Sequence, residues 1–213
     1  MQMDMAEPLP SATSAAPMVD VVFPVTGRRL LRDHAQALAD ALCSVLPWLA
    51  GEPHAGVHPI KLVPGLDAQA LLSNRARLLL RVPRERAAAL ADLTGQSLEV
   101  GGETLVLGTP HARELLAHAT LYAYNVASDS ADELAFMEAV AEELDALGIR
   151  GHRVCGKYHR MAFRRGMLDS FSLMLHGLGA PQALLLQQRG LGGERLLGCG
   201  IFVPHKSAAA VGA

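Results

Sequence analysis

Two sets of residues in this chain have types and spacings suited to chemistry. The first is the run from Gly190 to Gly200, Gly-Leu-Gly-Gly-Glu-Arg-Leu-Leu-Gly-Cys-Gly, with five glycines in eleven residues. Arg189 stands just outside it and Arg195 inside it. Glycine reaches positive φ and lets a backbone approach a ligand closely. Backbone N–H groups exposed beside a cation hold a phosphate. The second set is the nine histidines. Imidazole titrates near neutrality and can take or give a proton.

Charge points the same way as the glycines. Residues 1–149 hold 10 Lys and Arg against 19 Asp and Glu, whereas residues 150–213 hold 9 against 2. A net −2 thus conceals a basic C-terminal third, the footprint expected for a polyanionic partner. Its basic residues cluster from Arg150 through Arg153, Lys157, Arg160 and Arg164 to Arg165. Arg75, Arg77, Arg81, Arg84 and Arg86 make a second cluster, with Arg77 and Arg81 expected on one strand face. His152, Cys155 and His159 lack the fourth ligand of a structural zinc site, so no metal is expected. Three sparse cysteines fit a reducing, cytoplasmic compartment. No apolar run approaches the roughly 20 residues that span a bilayer, and Met1–Pro17 lacks the pattern of a secretory signal. Neither a membrane nor a cofactor is expected.

The elements that must position these groups follow from hydrophobic periodicity. Val19 to Val25 reads as a strand, and Asp33 as the N-cap of a helix whose apolar positions include Ala35, Leu38, Leu42 and Val45. His58 to Val63 and Arg77 to Val82 read as strands, Arg84 to Asp92 as a short helix, and Gln96 to Leu107 as a hairpin around Gly101-Gly102. A connector around Arg113-Glu114 leads to a strand over Ala119–Val126 and a helix over Ser130–Leu147, with Asp132 and Glu133 suited to its N-terminal end. Short strands over His152–Cys155 and Ser170–Leu175, a helix over Pro181–Gln188 and a last strand over Cys199–Val203 complete the chain. The order β-α-β-β-α-β occurs twice, which predicts an α+β fold of tandem ferredoxin-like, RRM-like βαββαβ units. The expected organisation is a disordered lead-in over 1–17, units over 18–110 and 111–206, and a tail over 207–213.

The sequence resembles the CRISPR-associated repeat-processing endoribonucleases of the RAMP superfamily, in the branch first described in myxobacterial-type systems. The residues that carry the likeness are Gly190-Leu191-Gly192, Gly198-Cys199-Gly200-Ile201-Phe202-Val203-Pro204, the Asp33-His34 pair and Gly56-Val57-His58-Pro59-Ile60. The resemblance covers about Val19 to Lys206. It implies two ferredoxin-like units that cut a CRISPR precursor transcript within each repeat. It further implies metal-independent chemistry: the ribose 2′-OH attacks the neighbouring phosphate and leaves a 2′,3′-cyclic phosphate and a 5′-OH. The implied partners are repeat RNA, other CRISPR effector subunits and a second copy of the chain.

Such chemistry requires a base, an acid and cations around the phosphate. His34 is the first candidate base. It lies at the start of a helix, with Arg28, Arg29 and Arg32 upstream, surroundings that disfavour imidazolium. His58 is the second candidate, since it follows a loop and opens the expected strand, and His54 is a weaker one. The family often adds a tyrosine, serine or lysine, for which Lys61, Tyr122 and Tyr124 are available. RNA contacts are expected from Arg28, Arg29, Arg160, Arg164, Arg189, Gly190, Gly192, Arg195, Gly198 and Gly200. A repeat-binding subunit that does not cut remains an alternative. A general tandem RNA-recognition protein lacks its aromatic strand motif here. A nucleotide enzyme would need its glycine loop between a strand and a helix, the reverse of this order.

Overall fold

The structure, a computed structural model, describes residues 17–63 and 69–205. Residues 1–16 of the expected lead-in and the whole of the expected tail lie outside the described residues. The first unit comprises β1 (Met18–Thr26), β2 (Arg29–Leu31), α1 (Ala35–Val45), β3 (Gly56–Val57), β4 (Gln69–Leu71), β5 (Arg77–Pro83), α2 (Arg84–Ala87), β6 (Ser97–Val100), β7 (Glu103–Leu107) and β8 (His111–Glu114). The second comprises β9 (Thr120–Ser128), α3 (Glu133–Ala146), β10 (His152–Phe163), β11 (Gly166–His176), α4 (Ala180–Arg189) and β12 (Val203–Pro204).

Each unit builds an antiparallel sheet with the ferredoxin-like order. The first runs β3-β5-β1-β7-β6, with β8 also paired to β1, and the second runs β10-β11-β9-β12. β1 is central, and its alternation sets two faces. Val19, Val21, Phe23 and Val25 join Leu38 and Leu42 of α1 in one core. Asp20 points to the other face, opposite Arg81 in register. In the second unit Leu121, Ala123, Phe171, Leu173 and Leu175 face α3 and α4 residues such as Phe136, Val140 and Leu186. A third cluster joins the units: Ala39 of α1 packs with Leu168, Leu197 and Cys199.

Several expectations hold in detail. Gly101 and Gly102 have φ of 59° and 84°, as a two-residue turn of type I′ requires. Asp132 caps α3, its carboxylate accepting the Ala135 N–H at 2.8 Å.

Others are corrected. The strand expected over His58–Val63 does not form; the paired residues are Gly56–Val57, just before it, with an isolated bridge at Val63. His58 still donates its N–H to Leu79 O at 2.9 Å, but Pro59 has no N–H to continue the ladder. His111–Glu114, expected as connector, is a strand on β1, so the first sheet reaches past Pro110. The stretch from His152, read as a short strand ending at Cys155, is one hairpin of β10 and β11. Cys199 to Phe202 is not extended strand, because Gly198 and Gly200 take φ of 84° and 64°. Asp33 does not cap α1. His34 occupies the N-cap position without a side-chain cap bond, and the Asp33 carboxylate accepts the Ala162 N–H from β10 at 3.0 Å.

Candidate functional site

His34 is placed by α1 and held by the turn before it. Its Nδ1 lies 3.0 Å from the Leu31 carbonyl. Only a protonated Nδ1 can make that bond, so Nε2 carries the lone pair of the neutral ring. His34 is buried, and burial lowers its pKa below the usual value, against the opposing pull of the Leu31 and Arg32 carbonyls and Asp33. The expected cause, the neighbouring arginines, is therefore replaced by desolvation. The result is a neutral imidazole with a fixed tautomer, which can accept a proton at Nε2.

α1 is docked to the second unit along one side. Asp33 binds Ala162 N, Gln36 Oε1 accepts Arg164 N–H at 3.1 Å, and Arg164 Nη2 donates to Asp40 Oδ1 at 2.5 Å. Met161 and Phe163 pack beside Ala35 and Ala39 in the shared cluster. The hairpin of the second unit thus borders the helix that carries His34.

His58 has different surroundings. Its Nε2 is 3.5 Å from Asp20 Oδ1 and makes no hydrogen bond. Asp20 is gripped by Arg81 through Nε at 2.8 Å and Nη2 at 3.1 Å, and by Arg113 at 3.1 Å. Burial alone would raise the Asp20 carboxyl, but His58 and Arg81 hold it far below the carboxylate range. Burial keeps His58 neutral, with Arg81 and Arg113 acting the same way and Asp20 opposing. Arg81 Nη1 also donates to Gln187 O at 3.0 Å and Phe202 O at 2.9 Å. Those carbonyls belong to the second unit. Arg81 was expected in a second basic cluster, on one strand face with Arg77, and is instead fully buried. It ties the units together, and His58 packs against that tie.

The glycine-rich run is also largely turned inward. Arg195 was expected to face a phosphate. It is buried, and its guanidinium donates to Gly200 O at 2.9 Å, Arg189 O at 3.1 Å, His54 O at 3.2 Å and Gln188 O at 3.4 Å. Burial, then Arg81, pulls its pKa down to about 10, so it remains charged at neutral pH. The glycines make room for this. A Cβ on Gly190 would collide with the Arg195 guanidinium, and one on Gly200 with the Leu191 carbonyl. One on Gly198 would come within 2.8 Å of Pro59 Cγ. The two sequence stretches Gly56–Pro59 and Gly198–Ile201 are therefore packed on each other, with Ile201 Cδ1 2.8 Å from where a Gly56 Cβ would lie. Only Gly192, Gly193 and Glu194 of the run are exposed.

A cleft of about 320 Å³ opens at this tip, lined by His54, Glu143, Arg189, Gly192, Gly193 and Glu194 among others. Arg189 Nη1 donates to His54 Nε2 at 2.9 Å. Burial, then Arg189 and Arg195, keeps His54 neutral. The Gly192 N–H, expected to meet a phosphate, donates to the Glu143 carboxylate at 2.9 Å. Among the other expected contacts, Arg28 is exposed. Arg29 pairs with Glu103 at 3.0 Å and Arg160 with Asp169 at 3.4 Å, both at the surface. Among the described residues, no three His, Cys, Asp or Glu side chains gather as a metal-ligand set, and no helix is long and apolar enough to cross a membrane.

Sequence reading missed Asp20, Glu143 and the docking role of Asp33. Asp20 left one signal, a lone carboxylate inside an otherwise apolar strand. Its partner Arg81 is 61 residues away, and only the strand register pairs them.

The architecture is that of two ferredoxin-like units, tied together where the buried Arg81 of the first donates to the Gln187 and Phe202 carbonyls of the second. The Cas6 Crispr family model matches residues 19–207. The chain therefore belongs to the Cas6 family of CRISPR-associated proteins. It is 36% identical over 194 residues to the CRISPR-associated endonuclease Cas6 of Myxococcus xanthus (strain DK1622), covering 91% of this chain and 84% of that protein. Among solved structures, a CRISPR-associated Cas6 protein superposes with a TM-score of 0.65 at 9% identity, over 89% of this chain and all 100% of the other. A RAMP protein that binds different RNA substrates superposes with a TM-score of 0.60 at 12% identity, over 88% and 100%. These superpositions establish the tandem ferredoxin-like fold.

Proposed function

We propose that this chain is an endoribonuclease that cuts CRISPR precursor RNA within its repeats, with His34 as the general base. The observation that carries the reading is the His34 ring, which is neutral, buried and fixed through Nδ1 to Leu31 O. Its Nε2 takes the proton of the ribose 2′-OH as O2′ bonds to the adjacent phosphorus. The bond from phosphorus to O5′ breaks, and that oxygen is protonated. The products are a 2′,3′-cyclic phosphate and a 5′-OH. No metal takes part in this sequence of bonds. The endonuclease activity of the Myxococcus relative and the RNA binding of the RAMP neighbour support the same reading.

The phosphate contacts fall to the exposed cations Arg28, Arg29, Arg160 and Arg164, with Arg189 at the cleft. Such contacts position the strand and carry little sequence information. Gly190, Gly198, Gly200 and Arg195 serve RNA indirectly, by holding the second unit against the first. Repeat RNA is the partner in this reading, and a complex with other CRISPR effector subunits or a second copy is compatible with the free surface.

The deciding experiment incubates the protein in EDTA with repeat RNA and with the same RNA bearing a 2′-deoxy nucleotide at the cut site. Cleavage of the first alone, with a cyclic phosphate end, is expected. Tight binding without cleavage would identify a repeat-binding subunit instead.

A further inference from the structure

A polar cluster in the second unit has a geometry that sheet packing does not require. His159 Nδ1 lies 2.8 Å from Asn125 Oδ1, and Ser170 Oγ donates to the same oxygen at 3.3 Å. Ser170 is fully buried. The carboxamide oxygen only accepts, so Nδ1 of His159 carries a proton and its Nε2 faces away from the cluster.

The backbone beside this cluster is distorted on both sides of one residue. β9 sets Tyr124 and Asn125 against Ser172 alone, because its register on β11 shifts between Phe171 and Leu173. β10 sets Gly156 and Lys157 against the same serine, its register shifting between Cys155 and Tyr158. Lys157 N–H donates to Ser172 Oγ at 2.8 Å, and a Cβ at Gly156 would collide with that oxygen. Bulges re-aim the side chains that follow them and gather beside active sites.

The β10 bulge puts His159 on the face of Met161 and Phe163, and that face packs against α1. The contacts run in order along the helix. Arg164 meets Gln36 and Asp40, and Ala162 meets Asp33. Moving back along β10 therefore moves toward the end of α1 that His34 caps. His159 lies two residues beyond Met161 in that direction, about 7 Å of strand.

We propose that His159 is the general acid of the cleavage reaction, paired with His34 as base. The inference rests on the endoribonuclease reading above. His34 Nε2 takes the 2′-OH proton while O2′ bonds to phosphorus. The phosphorus–O5′ bond breaks, and the imidazolium of His159 gives its Nε2 proton to O5′. Asn125 and Ser170 orient the ring through Nδ1 and act as positioning residues.

The test is single-turnover cleavage of two repeat RNAs, one natural and one with sulfur in place of the 5′ bridging oxygen at the cut. A thiolate leaves without a proton, so the second substrate needs no acid. His159→Ala is expected to slow the natural RNA by roughly 100-fold and to cut the sulfur RNA at nearly the wild-type rate. Asn125→Ala should show a smaller loss, rescued in the same way. His34→Ala should stay slow on both. Wild-type speed of His159→Ala on natural RNA would overturn the inference, and so would an equal loss on both substrates, the mark of a structural role. If the wild-type protein cuts neither RNA, the endoribonuclease reading itself fails and His159 has no acid role.

Discussion

The Asp33 carboxylate and the Ala162 N–H meet at 3.0 Å, joining the residue before His34 to the hairpin of the other unit. This bond crosses the boundary between the ferredoxin-like units next to the proposed base. The residue that sequence pattern would assign to capping is used instead to set where α1 begins relative to β10.

Removing that carboxylate should misplace the base more than it unfolds the protein. Asp33→Ala is expected to lower the single-turnover rate about tenfold, since small displacements near reacting atoms are costly. RNA affinity should be unchanged. A loss seen only in affinity would refute the positioning role.

His34→Ala should reduce cleavage by roughly 10² to 10⁴ with repeat RNA still bound. The lowered pKa of His34 gives a direction for the pH profile. The base stays deprotonated down to a pH below the ordinary histidine range, about 6.5. The acid limb attributable to His34 should therefore fall below that pH, and a midpoint above it would contradict the assignment.

Stability should depend on pH through the buried histidines. His34, His54 and His58 all have folded pKa values below the ordinary one. In the window between the two values the unfolded chain binds more protons, so stability falls as pH drops through it. Their contribution is fully present above about pH 6.5. Tm should decline as pH falls from neutrality toward 5, and His58→Gln should flatten part of that decline. Asp20, whose pKa is also depressed, loses its contribution only in stronger acid.

The junction between the units can be tested at Arg81. Arg81→Met leaves the buried Asp20 carboxylate without its bidentate partner and leaves two carbonyls of the second unit unbonded. The expected cost is about 3 kcal/mol in urea unfolding. The double variant Asp20→Asn with Arg81→Met should recover part of it. If the double variant is worse by the sum of both single losses, the two residues are not coupled.

Two glycines of one run separate backbone packing from phosphate contact. Gly200→Ala puts a Cβ into the Leu191 carbonyl at φ 64° and should destabilise strongly. Gly193→Ala meets nothing within 4 Å and should change stability by no more than about 0.5 kcal/mol. Arg28→Ala and Arg160→Ala should each lower the salt dependence of RNA binding by about one in log–log slope. An unchanged slope in both would remove them from the interface.

The sequence by itself determined the tandem α+β fold, the main helices and central strands, and the family. The fold depends on local signals: alternating apolar residues in β1 and β9, the Gly101-Gly102 turn, and the Asp132 cap of α3; the family rests on the resemblance carried by Gly190–Gly192, Gly198–Pro204, Asp33-His34 and Gly56–Ile60. The position of His34 at the start of α1 was legible as well, since a helix start is a local signal. The tertiary structure decided which groups of the glycine-rich run face outward. Sequence suggests a phosphate cradle from Gly190 to Gly200, but three of those glycines exist to admit Arg195, Pro59 and neighbouring backbone. It also decided that Arg81 is buried with Asp20 and that His159 shares a strand face with the residues packed on α1. The physical reason is common to all three. Ion pairs, backbone fit and strand register join residues far apart in the chain, and single-chain periodicity says which face a residue takes but not what covers that face.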